Sequence, residues 1–310
     1  MIIEGLSPGL LPPPKVIELE HCARRAMDAS HSKLPSTTWT LDRVKTAISR
    51  GTEINSVCYG VDVVDIGDGC IVKFGTFVRA REAEATEFVA ARTSIPVARI
   101  HATLYDEVTS TTYIVQDRIH GERLDKLLPT LDAEKLQVIE KELQLIFSQL
   151  SSLDTHGPMG MVGKPTYFLD FHPFPVDYIG SWKATTALEF VAWIIDATNT
   201  ATDVTVFKPL DSNIFDDKMP HVFSHGDLVP ENILVHDGHI SGIIDWEYAG
   251  WYPYFWNPYI ALRRPFLDSR WTKIIRNNMM TYNRECHVFS VNNYYLLITK
   301  ELERKIAHNS

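Results

Sequence analysis

The chain has few cysteines, and no two of them are close: Cys22, Cys58, Cys70 and Cys286 form no Cys-x-x-Cys pair and have no histidine at metal-binding spacing. That scatter predicts neither a disulfide framework nor a zinc site, and it fits a reducing compartment. Runs of lysine and arginine are also missing and the formal charge is -9, so no nucleic-acid partner is expected. No apolar stretch is long and unbroken enough to span a bilayer, so no membrane partner is expected either. Residues Met1 to Pro14 carry an early Glu4, no basic start and no sustained apolar core. They do not read as a signal peptide, and a cytoplasmic protein is the expectation. Repeats and low-complexity tracts are absent. So is any Gly-x-Gly-x-x-Gly pattern, since Gly60, Gly67 and Gly69 stand too irregularly to form one.

What remains is an ordinary globular composition, 45% hydrophobic and 22% charged over 310 residues, which is enough chain for two lobes and a sizeable core. Pro8, Pro12, Pro13 and Pro14 make the start an irregular arm. The apolar spacing from Val16 to about Met27 suits a short helix, and Leu41 to Ile48 suits another. Between Ser56 and Gly75 a Val-, Ile- and aromatic-rich stretch broken by Gly67-Asp68-Gly69 predicts a hairpin, with Lys73 on its second strand. Helical spacing follows from Arg81 to Ala90 and places Glu82, Glu84 or Glu87 within reach of Lys73. Pro96 ends that helix, and Thr111 to Ile119 reads as a further strand. Leu136, Ile139, Leu143, Ile146, Phe147 and Leu150 recur at helical spacing and predict a helix over 132–153 capped by Asp132. The aromatic loop from Gly157 to Trp182 either lines a pocket or seals a surface. Further helices are expected around 187–198, 270–282 and 292–307.

The most informative run is Ser224 to Tyr248. Asp227 and Asn232 lie five residues apart in a loop stiffened by Pro230. Ile233 to Val235, a turn at Asp237-Gly238 and Ile240 to Ile244 then predict a hairpin that delivers Asp245 to the same end. A reacting hydroxyl needs a carboxylate beside it to orient it and take its proton, and a Mg2+ ion on a triphosphate needs oxygen ligands from a carboxylate and an amide. On that chemistry Asp227 is the catalytic base and Asn232 and Asp245 are the metal ligands. Any one of them alone would be ordinary turn chemistry.

His225-Gly226-Asp227-Leu228, Asn232 and Ile244-Asp245 resemble the signature of the aminoglycoside phosphotransferase and choline kinase superfamily. The continuation Trp246 to Pro253 looks like the fungal branch of phosphotransferase-like proteins. Gly226 stands where protein kinases carry an Arg, and Trp246-Glu247 stands where they carry Phe-Gly, which favours the small-molecule branch. The resemblance implies an α+β fold of the bilobal protein-kinase type: an amino-terminal arm over 1–50, a small β-rich nucleotide lobe over 51–119 with one key helix, and a larger helical lobe over 120–310. It implies ATP and Mg2+ as cofactors, a small-molecule substrate and a monomer. Among the three glutamates it selects Glu82 as the partner of Lys73, which would hold the nucleotide phosphates. Backbone near Gln116 to Arg118 would read the base, and amides from about Ile54 to Tyr59 would replace the glycine-rich loop. An acidic residue usual near Asn257 in relatives is missing, so that region is expected to fill core. Two rival readings stay open: a catalytically silent binding protein on the same fold, and an enzyme that has reused the cleft for ATP-independent chemistry.

Overall fold

The computed structural model describes residues 38–57, 60–153, 159–162, 166–167, 180–181, 186–192, 219–262 and 268–279. The expected helices at 16–27 and 292–307, and nearly all of the aromatic loop, lie outside them.

The first lobe is a five-stranded antiparallel sheet in the order β1-β2-β3-β5-β4. Its strands are β1 Thr52–Val57, β2 Val61–Gly67, β3 Cys70–Gly75, β4 Ile100–Asp106 and β5 Thr111–Asp117. Helix α1, Leu41–Arg50, is capped by Thr40, whose side chain accepts from the Arg43 amide. It lays Val44 on one face of the sheet against Val72, Tyr113 and Val115. Helix α2, Ala80–Arg92, serves the other face, where Ala83 packs with Val78 and Ile114. Side chains alternate along β3, so Cys70 and Val72 face α1 while Lys73 faces the opposite way.

The second lobe is larger and rich in helix. A two-residue strand β6, Glu122–Arg123, leads into a short helix α3, Leu124–Leu127, and then into α4, Ala133–Ser152. The α4 cap is Asp132, which accepts from the Lys135 amide at 2.8 Å, and its buried stripe is Ile139, Leu143, Ile146, Phe147 and Leu150. Short strands β7, Gly160–Met161, β8, Thr166–Tyr167, and β9, Gly180–Ser181, precede β10, His221–Ser224. Strands β11, Ile233–His236, and β12, His239–Ile243, form the expected hairpin around Asp237-Gly238. Both turn residues have positive φ, 50° and 82°, as a tight hairpin turn of matching twist requires. Glu142 of α4 accepts from the Ile240 amide at 2.7 Å and ties β12 to that helix. Strand β13, Gly250–Pro253, pairs with β10 and β7, and helices α5, Trp256–Leu262, and α6, Ser269–Met279, complete the described part of the lobe.

One apolar cluster joins the lobes. Ala85 and Val89 of α2 share it with Leu143 and Ile146 of α4, Phe223 of β10 and Ile243 of β12. At its edge Phe88 stacks on Phe223 and both meet Trp251 edge to face, with ring centroids 5.1 to 5.4 Å apart. Such aromatic pairs add roughly 0.5–1.5 kcal/mol each beyond the area they bury. The aromatic stretch after Asp245 fills core as expected: Tyr252, Phe255, Trp256 and Tyr259 are all buried and pack on one another. Among the described residues no helix is long and apolar enough to cross a membrane.

Candidate active site

The loop between β10 and β11 is shaped by residues that the backbone itself demands. Gly226 has φ +82°, and a Cβ there would lie 2.2 Å from the Tyr248 carbonyl oxygen. Only glycine lets the loop approach the segment after Asp245 so closely, which is why an arginine cannot stand at this position. The Gly226 amide donates to Ser224 Oγ at 3.1 Å, and Ser224 Oγ donates in turn to Asn257 Oδ1. Asn257, with no charge of its own, therefore braces the strand that enters the loop.

His225 is wholly buried against Trp246, and its two nitrogens have different work. Nδ1 accepts from the Asp227 amide at 3.2 Å, which leaves Nε2 to donate to the Ile244 carbonyl at 2.9 Å. Burial pushes its pKa below the usual value, against the pull of Asp227, so the ring stays neutral and keeps this tautomer. One imidazole thereby fixes Asp227 and the residue before Asp245 relative to each other.

Asp227 and Asn232 are nearly buried, at 8% exposure each. The Asn232 side-chain nitrogen donates to the Asp227 carbonyl oxygen at 2.9 Å and to Asp227 Oδ2 at 3.2 Å. With the nitrogen committed, Oδ1 is the Asn232 atom left to act as a ligand. The Pro230–Asn232 turn sets this pairing, and the Ile244 amide donates to the Asn232 carbonyl at 3.0 Å. Asp245 itself has φ +68°, an uncommon backbone conformation for a residue with a side chain.

Lys73 comes from the other lobe. Its Nζ lies 2.7 Å from Glu82 Oε2 and 2.9 Å from Asp245 Oδ1, joining β3, α2 and the end of the β11–β12 hairpin at one ammonium. Burial alone would discharge it, but Asp245 and Glu82 outweigh burial and hold its pKa above the usual lysine value. Glu84 and Glu87 point away and are exposed. Arg81, next to Glu82, donates from Nε to the Glu247 carbonyl at 3.0 Å and fastens α2 to the loop after Asp245.

Glu247 was not singled out from the sequence. Burial first, then Asp245, raises its carboxyl to about 7, while Lys73 pulls it back. Its only early signal was its position two residues after Asp245. Glu82, Asp245 and Glu247 thus set a surplus of carboxyl groups around a single lysine. Together with the hard oxygen donors of Asn232 and Asp245, that surplus fits a divalent cation such as Mg2+.

Along the stretch expected to meet the base, from Gln116 to Arg118, two backbone amides already have partners. The Asp117 amide donates to the Arg99 carbonyl at 2.9 Å and the Arg118 amide to the Gly69 carbonyl at 2.7 Å. Both donors are spent within the protein. The Arg118 side chain pairs with Asp65, and Gln116 sits half-buried in β5 between Ile71 and Ile100. Of the amides from Ile54 to Tyr59, those of Cys58 and Tyr59 lie outside the described residues.

The sequence profile of the phosphotransferase enzyme family matches residues 76–279, more than half of the chain. Lys73 falls just ahead of the match, so its place rests on geometry. No curated relative matches in sequence. In structure the chain is similar to a complex of aminoglycoside phosphotransferase APH(2")-IIIa with GDP and kanamycin, at 10% identity and a TM-score of 0.56, covering 91% of this chain and 92% of that one. It is also similar to a thermostable mutant of aminoglycoside phosphotransferase APH(4)-Ia in ternary complex with AMP-PNP and hygromycin B, at 13% identity and a TM-score of 0.56, covering 82% and 88%. The apo form of a thermostable mutant of the same enzyme gives 12% identity and a TM-score of 0.52, covering 82% and 89%. At these identities the likeness establishes the bilobal, kinase-like α+β fold.

Proposed function

Because this chain belongs to the phosphotransferase enzyme family, we propose that it transfers the terminal phosphate of ATP to a hydroxyl of a small organic compound, with Asn232 and Asp245 as ligands of Mg2+. The observation that carries this reading is the join at Lys73. A lysine of the sheet lobe and a metal-ligand aspartate of the helical lobe meet at 2.9 Å beside a loop that holds a carboxylate and an amide together.

Each residue then has a task. Lys73, kept charged and aimed by Glu82, holds the nucleotide phosphates. Asp227 orients the acceptor hydroxyl and takes its proton as the new oxygen to phosphorus bond forms. His225 fixes the Asp227 backbone, and Asn232 fixes its carboxylate. Bound Mg2+ would neutralise charge on the phosphate oxygens, and Asn232 and Asp245 are the residues to hold it. Such a site works by positioning and charge stabilisation more than by covalent chemistry. The substrate is a small molecule, and the acidic chain is suited neither to nucleic acid nor to a bilayer; we expect a cytoplasmic monomer.

Calorimetry of ATP binding with and without Mg2+, on the protein and on Asp245→Asn, tests the reading. Metal-dependent binding that weakens in the variant, followed by phosphate transfer to a member of a panel of small alcohols and amino alcohols, is the expected result. No binding at millimolar ATP would overturn it in favour of ATP-independent chemistry. Binding without transfer to any acceptor would favour a silent nucleotide-binding protein.

A further inference from the structure

On the other face of the five-stranded sheet, three side chains with metal-binding chemistry converge. Ligand atoms of Cys70, His101 and Asp117 all lie within 4.8 Å of one another. They come from β3, β4 and β5, three adjacent strands, and the sequence separations of 31 and 16 residues gave no spacing motif.

Two features of the backbone bring them together. Cys70 and Asp117 are direct partners in the β3–β5 pairing, so their side chains share a face. His101 would face the other way in a regular ladder. Ile100 pairs with Gln116 but Ala102 pairs with Val115, so His101 is the extra residue of a one-residue bulge. A bulge re-aims the side chain at the inserted position, and here it turns the imidazole to the Asp117 carboxylate, Nε2 to Oδ1 at 2.5 Å.

We propose that Cys70, His101 and Asp117 form a binding site for a thiophilic divalent cation of the zinc class, separate from the phosphoryl-transfer cleft. Thiolate and imidazole are ligands for zinc-like ions, whereas Mg2+ prefers all-oxygen sites, so this site and the Asn232–Asp245 pair select different cations. Three protein ligands leave one position of a tetrahedral ion open. The cysteine is buried, at 2% exposure, and the Asp117 side chain is 43% exposed, so entry and the open position lie on the carboxylate side. Binding releases the thiol proton, and the neutral imidazole offers one nitrogen lone pair to the cation while its N–H sits on the other nitrogen. The ion would clamp three strands beside Arg118, next to the connection between the lobes.

Cobalt titration of the metal-stripped, full-length protein without nucleotide tests this. The wild type should develop thiolate-to-cobalt charge-transfer absorption that saturates at one equivalent, is abolished by Zn2+ and persists in excess Mg2+. Cys70→Ser should lose the band, and Asp117→Asn should weaken cobalt binding by at least roughly tenfold. Because Cys70→Ser alters a buried position, His101→Gln, at a half-buried bulge, serves as the second variant and should also weaken binding. A wild type without the band would overturn the proposal, and so would a band unchanged in Cys70→Ser or His101→Gln. The readout needs no phosphoryl transfer, so its failure would leave the enzymatic reading untouched.

Discussion

The two halves of the candidate active site are built in opposite ways. Asp227, Asn232 and Asp245 are held by a run of chain that supplies its own supports, since His225, Gly226 and Asn232 make their key contacts within that same run. Lys73 draws its side-chain partners from outside its own hairpin. Its ammonium is placed by Glu82 on a helix nine residues on and by Asp245, 172 residues away. A local loop can set two carboxylates and an amide relative to each other, but only packing of one lobe on the other brings the Lys73 ammonium to them.

That contrast can be broken at either half. Asp227→Asn removes the proposed base while preserving shape, and turnover should fall by about 10²–10⁴-fold with ATP affinity nearly unchanged, as steady-state kinetics beside calorimetry would reveal. Equal losses in both would mean that Asp227 holds nucleotide instead. Gly226→Ala attacks the local supports. With φ +82° and a backbone oxygen 2.2 Å from the new methyl, it should cost about 2 kcal/mol or more in denaturant unfolding and depress activity. A neutral result there would show that the loop is looser than its contacts imply.

The lobe-spanning half should respond more mildly and in a different parameter. Glu82→Gln removes one of the carboxylates paired with Lys73 and should raise the KM for ATP by about tenfold, the worth of one charge-assisted hydrogen bond. A change in kcat with KM untouched would contradict the assigned role. The smallest effect concerns the sheet's outer face, where Lys45 of α1 pairs with Asp106 at 2.5 Å. The Lys45 hydrogen bond depresses the Asp106 carboxyl from 3.8 to about 2. Its stabilising contribution is present above pH 3.8 and is lost as pH falls towards 2. Lys45→Met should flatten that part of the stability profile, measured by thermal unfolding across acid pH, and leave catalysis alone.

Much of this was legible because it depends on short-range chemistry. The Asp237-Gly238 turn, the Asp132 cap and the buried stripe of α4 follow from backbone conformation and helical period, which neighbouring residues decide. The choice among Glu82, Glu84 and Glu87 was not settled by periodicity alone, because all three lie within two turns. Burial of Glu82 in the lobe junction separates them. Glu247 was passed over because nothing local marks a carboxylate for a raised pKa; the neighbours that raise it include Glu82, which arrives from the other lobe.

The sequence alone determined the loop carrying Asp227 and Asn232 and the hairpin that leads to Asp245, since a loop, a tight turn and two apolar strands are specified by residues close in the chain. Tertiary structure alone decided what meets across strands and lobes: Lys73 with Asp245, the commitment of the Asp117 and Arg118 amides, and the convergence of Cys70, His101 and Asp117. The physical reason is register. Which residues face each other across a sheet changes with a single bulge, and that shift is fixed by the packing of the whole sheet and leaves no spacing in the chain to read.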